Sequence, residues 1–170
     1  MRGNVAKVSQ HFFADDGRFP NNRLPLIVYA QAITGEAVTP EAVEQMFDAS
    51  GWPPQWRYTV YDFHHYHSSA HEALGCARGE ARIRFGGPNG ETLAVKAGDV
   101  VVIPAGVAHM CESASEDFMM VGAYPPGQDY DLLKGEEGER PQADETIAKV
   151  PVPQTDPVAG WDGPLLRAWG

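Results

Sequence analysis

The chain has 170 residues, with 23 Asp and Glu against 13 Lys and Arg, a formal net charge of -10 and a pI near 4.9. That field repels a phosphate backbone, so nucleic acid is not an expected partner, and no apolar run approaches the ~20 residues of a membrane helix. The length suits one domain over 1–170 with a core of its own. The opening MRGNVAKVSQHFF lacks the apolar stretch of a secretion signal, which places the chain in the cytoplasm.

In chain order, Leu24 to Ile33 is the first apolar stretch and reads as a strand. A helix follows: Thr39 caps it, Pro40 suits its first position and Gly51 suits the residue just past its end. Val43, Met46 and Phe47 form its apolar stripe. Between 57 and 124 the pattern turns to short β-rich runs: Tyr58–Phe63, Glu72–Arg78, Glu80–Phe85, Thr92–Lys96, Asp99–Ile103, Ala108–Glu112 and Phe118–Tyr124. Ala81, Ile83 and Phe85 alternate with Glu80, Arg82 and Arg84, as in a strand with one buried face. In the loop Gly86–Gly90, Asn89-Gly90 reads as a tight turn with positive φ angles. Runs of this length and spacing predict an all-β sandwich or barrel. Residues 125–170 are rich in proline and charge and read as a tail. Trp161, Leu165, Leu166 and Trp169 are too apolar to hang free, so the tail's end is expected to dock on the core or on a second copy.

Four of the six histidines fall within 64–71. His65 and His67, two apart, share one face of an extended segment, and a carboxylate returning after the turn, Glu72, can reach the same point. Imidazole with carboxylate suits Fe, Mn, Ni, Cu or Zn better than Ca or Mg. Taken alone, such a pair is more often a surface or hydrogen-bonded core feature than a ligand pair. A second segment changes the balance. Gly98-Asp99 opens a strand, Pro104-Ala105-Gly106 turns the chain, and His109 opens the next strand.

The two segments together resemble the cupin family. His65, His67, Glu72 and Gly79 stand at the spacing of the first cupin motif, and Gly98, Pro104, Gly106 and His109 at that of the second. Thr59 departs from the glycine that usually begins the first motif, and Ser113 from the asparagine that usually closes the second. Gly51-Trp52, His64–Ser68, Val121–Pro125 and Gly138–Glu145 are similar to the YjlB-type bacterial cupins. The resemblance implies a double-stranded β-helix, or jelly roll, with a core barrel over about 57–124, one N-terminal helix (strand and helix over 24–51) and an extended C-terminal tail that wraps it. It implies one divalent transition metal per chain, held inside the barrel by His65, His67, Glu72 and His109, with Fe(II) favoured.

Alternation about these ligands puts Tyr61 and Phe63, Leu74 and Cys76, and Cys111 along the cavity, and His64 and Tyr66 on the other face. Both cysteines read equally as small core residues. His71, in the turn, is expected behind a ligand or at the surface, with replacement of another ligand as the alternative. The resemblance further implies a metalloenzyme on a small organic substrate, with Fe(II)-dependent, dioxygenase-like oxidation foremost. Redox-neutral isomerase, lyase or decarboxylase chemistry is the alternative, with a carboxylate or a tyrosine moving a proton (Tyr58, Tyr61, Tyr66 or Tyr124, each read first as a core or interface aromatic), and a non-catalytic metabolite-binding cupin is the competing class. A homodimer is expected.

Overall fold

In the computed structural model, residues 7–170 are described. Two antiparallel sheets face one another. The larger, of six strands, has β2 (Asn22–Ala30), β7 (Val100–Ile103), β4 (Glu72–Arg78) and β9 (Met119–Ala123) at its centre, in that order. Its edges are β1 (Lys7–Phe13), beside β2, and β3 (Pro54–Tyr58), beside β9. The smaller has β5 (Glu80–Phe85) between β6 (Glu91–Lys96) and β8 (His109–Ala114).

The central strands are apolar on both faces because both faces are covered. Leu26 of β2, Leu74 and Cys76 of β4, Val101 and Ile103 of β7 and Met120 of β9 point toward the smaller sheet, where they meet Ile83 and Phe85. The alternate residues, Ile27 and Tyr29, Ala73 and Ala77, Val100 and Val102, Val121 and Ala123, point the other way, against helices α1 (Pro40–Ala49) and α3 (Pro164–Trp169). Period-two alternation thus divides the apolar residues into two cores. Helix α1 begins as its sequence dictates: Thr39 Oγ1 accepts from the Ala42 N–H at 3.0 Å and Pro40 opens the first turn.

Several expectations need correction. Neither sheet closes into a barrel: β1 and β3 are free edges of one sheet, β6 and β8 of the other. His65, which lies outside both sheets, makes an isolated bridge with His109 of β8. The three-stranded sheet packs against the six-stranded one, so the structure is two stacked sheets. The N-terminal helix is not the only one. The tail carries α2 (Gln142–Lys149) and α3, which bury Ala143 and Leu165 with Trp169 respectively. Neither has a side-chain cap at its start, which removes the usual sequence signal. Trp161 does not dock and is 76% exposed. The strand expected at Tyr58–Phe63 lies earlier, at Pro54–Tyr58, and residues 59–64 form no regular strand. β1 carried no apolar signal because it is an outer edge with mostly exposed side chains. In the 86–90 loop the positive φ angles belong to Gly86 and Gly87 instead of Asn89-Gly90.

Candidate metal centre

Backbone pairing brings the two histidine segments together. The His65 and His109 main chains exchange hydrogen bonds, N to O at 3.2 and 2.9 Å. Gly106, at φ +92°, turns the chain so that its N–H donates to the His67 carbonyl at 2.7 Å. A side chain there would be strained. On the far flank the tail pins the same run. Tyr66 and Leu133 exchange backbone hydrogen bonds at 2.9 Å, and the Asp131 carboxylate accepts from the Ser68 N–H at 2.6 Å and from the Ser68 hydroxyl.

The three imidazoles are buried, with one ring nitrogen from each lying within 4.8 Å of the others. Their tautomers follow from their partners. Nδ1 of His65 donates to the Phe63 carbonyl at 3.0 Å, Nδ1 of His67 to the Asp131 carbonyl at 2.5 Å, and Nδ1 of His109 to the Val107 carbonyl at 3.1 Å. A carbonyl only accepts, so in the neutral rings the proton sits on Nδ1 and each Nε2 presents a lone pair. Glu72, 2% exposed at the start of β4, lies beside two of them, 3.4 Å from His67 Nε2 and 3.3 Å from His109 Nε2.

The two carboxylate oxygens of Glu72 differ. Oε2 accepts a 2.5 Å hydrogen bond from the Tyr124 hydroxyl, which itself accepts from Trp56 Nε1 at 2.8 Å. Oε1 has no hydrogen bond of good geometry. Gly122 makes room for this arrangement, because a Cβ there would lie 2.2 Å from the Trp56 ring. Burial alone would raise the Glu72 carboxyl, but the imidazoles of His67 and His109 beside it hold it well below the usual range. Burial would lower His67; the Glu72 carboxylate beside it prevails and raises it. His65, farther from the carboxylate, is pushed down to about 3 by burial and then by His109. Three imidazole lone pairs and an unpartnered, ionised oxygen in one buried spot suit a single divalent transition ion.

The family model described as Cupin matches residues 64–128, which contain all four of these side chains. The YjlB protein of Bacillus subtilis (strain 168) is 43% identical over 160 residues, covering 94% of each chain. The chain belongs to the cupin family. Among solved structures, a DUF861-family protein from Thermotoga maritima shares 22% identity, covering 51% of this cupin and 92% of that chain at a TM-score of 0.35. An oxalate decarboxylase of Bacillus subtilis shares 16%, covering 79% of this cupin and 29% of that chain at 0.37.

A cavity of about 300 Å³ opens over the cluster, with His65, His67, Glu72 and His109 in its wall. Tyr61 and Leu74 line it. Phe63, Cys76 and Cys111 do not, for different reasons. Phe63 stacks behind Tyr61, ring centroids 5.0 Å apart. Cys76 is two residues farther along β4, inside the core between the sheets, with Sγ 3.4 Å from the Arg78 carbonyl. Cys111 turns its Sγ to the Ser113 carbonyl at 3.4 Å.

His71 is not behind a ligand either. It precedes Glu72 and so faces the opposite side of the sheet, where its ring packs 4.7 Å from that of Trp169. Its Nδ1 accepts from the Ala105 N–H at 2.9 Å. His64 and Tyr66 turn away from the cluster to pack against Phe19.

Trp56 and Tyr130 also line the cavity and carried no signal in the sequence. Tyr130 stacks on Tyr124 at 4.6 Å and meets the His67 ring edge-on at 5.3 Å, although it lies in the tail. A tail residue shows no periodicity that would mark it as part of a site. Tyr124 was one of four tyrosines considered as a proton carrier for the redox-neutral alternative. Its hydroxyl is instead committed to Glu72, and burial followed by the Glu72 charge pushes its ionisation far up.

Proposed function

We propose that this cupin is a metal-dependent enzyme acting on a small organic molecule bound in the cavity, with His65, His67, His109 and Glu72 Oε1 holding one divalent ion. The observation that carries this reading is the set of three Nδ1–H to carbonyl hydrogen bonds, which leaves three Nε2 lone pairs directed into one buried space. A structural core would pair such atoms, since an unpaired buried polar group costs about 1–3 kcal/mol. A divalent ion held there would supply Lewis acidity to a substrate oxygen. The protein's own part is to orient the donors and exclude water. Tyr124 and Trp56 fix the Glu72 carboxylate, the backbone carbonyls fix the rings, and the tail at Tyr130 walls off one side.

Redox-neutral chemistry, of an isomerase, lyase or decarboxylase kind, asks least of this site, because it needs only a Lewis acid. Fe(II)-dependent oxidation is the second reading. It uses the same donors, which leave positions open on an octahedral ion, and adds the requirement of a redox-active metal. Metal analysis of protein purified without a nickel column, with oxygen uptake during turnover, separates the two. Zn or Mn with no oxygen uptake supports the first, and Fe with stoichiometric uptake supports the second. Absence of any bound transition metal, even after reconstitution, removes the proposal.

A further inference from the structure

We propose that the cavity takes a small aromatic molecule that offers a single anionic oxygen toward the histidine cluster and carries no second anionic group. This deepens the metal-centre reading and rests on it. The argument begins with charge. Arg57 and Glu72 are the charged side chains in the cavity wall. Arg57 is not free: Nε donates to Glu44 at 2.8 Å, and Nη2 to Glu44 at 2.8 Å and to Glu41 at 3.0 Å. Lys134 lies outside the wall, its Nζ over the Phe63 ring at 5.2 Å. No uncommitted cation of this wall is therefore available to a second carboxylate or to a phosphonate. A divalent ion with neutral imidazoles and the Glu72 anion leaves one net positive charge, which one anionic oxygen balances.

The rest of the wall is aromatic. Tyr124 and Tyr130 stack on one side, while Tyr58 and Tyr61 meet edge-on at 6.1 Å on another. Tyr58, Tyr61 and Tyr130 are 58%, 41% and 48% exposed, so folding leaves much of their ring area uncovered at the mouth. A planar ring entering between them covers that area, and tyrosine faces favour such a partner by quadrupole contact. The volume of about 300 Å³ is at the small end for a small-molecule site, which suits one ring and not a chain of them.

The test is calorimetric titration of the full chain, reconstituted with Mn(II), with three probes: benzoate, oxalate and phthalate. Benzoate is expected to bind at least about tenfold more tightly than oxalate, and phthalate no more tightly than benzoate. Tyr61→Ala and Tyr130→Ala should each weaken benzoate about tenfold while leaving Mn content unchanged. Oxalate or phthalate binding more tightly than benzoate overturns the proposal, as does a lack of benzoate binding at millimolar concentration or its indifference to both substitutions. If the protein takes up no metal, the proposed function fails separately. The same probes on the metal-free chain then decide the aromatic preference, which belongs to the walls: benzoate must still bind more tightly than oxalate.

Discussion

Glu72 and His71 are neighbours in the chain and face opposite sides of the six-stranded sheet, where polar groups are treated differently. On the helix-covered side most of them are tied into the fold one by one, although the buried His71 Nε2 has no hydrogen-bond partner. The Tyr29 hydroxyl donates to Asp156 at 2.5 Å, and the same carboxylate accepts from the N–H groups of Val158, Ala159 and Leu165 at 2.8, 3.0 and 3.0 Å. Trp52 and Trp169 donate their indole N–H groups to the Thr155 and Pro25 carbonyls at 2.9 and 2.8 Å. On the other side the three imidazoles converge on one point, and Glu72 Oε1 beside them has no hydrogen-bond partner of good geometry. Burial is equally deep on both faces, so burial alone does not mark the site. What marks it is convergence: its donors are held in place by their far ends while their near ends gather at one point, whereas the unpartnered His71 Nε2 stands alone on its face.

Substitutions on the two faces should therefore separate metal binding from stability. The largest effect is expected from His65→Ala or His109→Ala, which should lower metal affinity about a hundred- to a thousand-fold, given that typical protein zinc sites bind with ~10 kcal/mol or more shared among their ligands. Metal content by mass spectrometry of the purified variants checks this, with His64→Ala as the control that should retain its metal. Loss in the control alone would mean that the ring orientations are reversed.

Next in size is Asp156→Ala, which removes the acceptor of four donors, the Tyr29 hydroxyl and the Leu165 N–H among them buried, and should cost about 3 kcal/mol in denaturant unfolding, with metal per folded chain unchanged. A variant that loses metal in proportion to stability would show that the two faces are not independent.

The third expectation concerns acid. Burial pushes His71 down to about 4, so the folded state favours the neutral ring. The unfolded chain takes up a proton near 6.5, before the folded one does. Stability from this group is therefore complete above about pH 6.5 and is lost as pH falls toward 4, amounting to about 3 kcal/mol over that window. His71→Asn keeps an acceptor for the Ala105 N–H but does not titrate. Metal-free variant and parent, unfolded at a series of pH values, should diverge by that amount; parallel curves would exclude it.

The smallest effect belongs to the layer behind the ligands. Tyr124→Phe removes the hydroxyl that fixes Glu72 and should weaken metal binding about 10- to 100-fold. Competition with a chelator measures this, and an unchanged constant would show that Glu72 holds its pose without help.

What the linear chain revealed was spacing. The Thr39 cap, the alternation in β5, and the intervals joining His65, His67, Glu72, Gly98, Gly106 and His109 depend on local geometry, because rise and side-chain direction repeat along any strand or turn. Glu72–Arg78 and Glu80–Phe85 coincide with the observed strands for the same reason. The open arrangement of the two sheets was not legible, since edge pairing depends on how the sheets stack and leaves no mark on an alternating strand. The tail was harder still. Its helices lack caps, and Tyr130 and Asp131 reach His67 only because Tyr66 pairs with Leu133 and the Tyr66 hydroxyl donates to Glu139 at 2.7 Å. Local sequence thus determined which donors this cupin offers and on which face, while tertiary packing decided which of their atoms stay free and what walls surround them. Satisfying or stranding a polar atom requires a partner, and for Glu72 and His67 those partners lie 52 and 64 residues away.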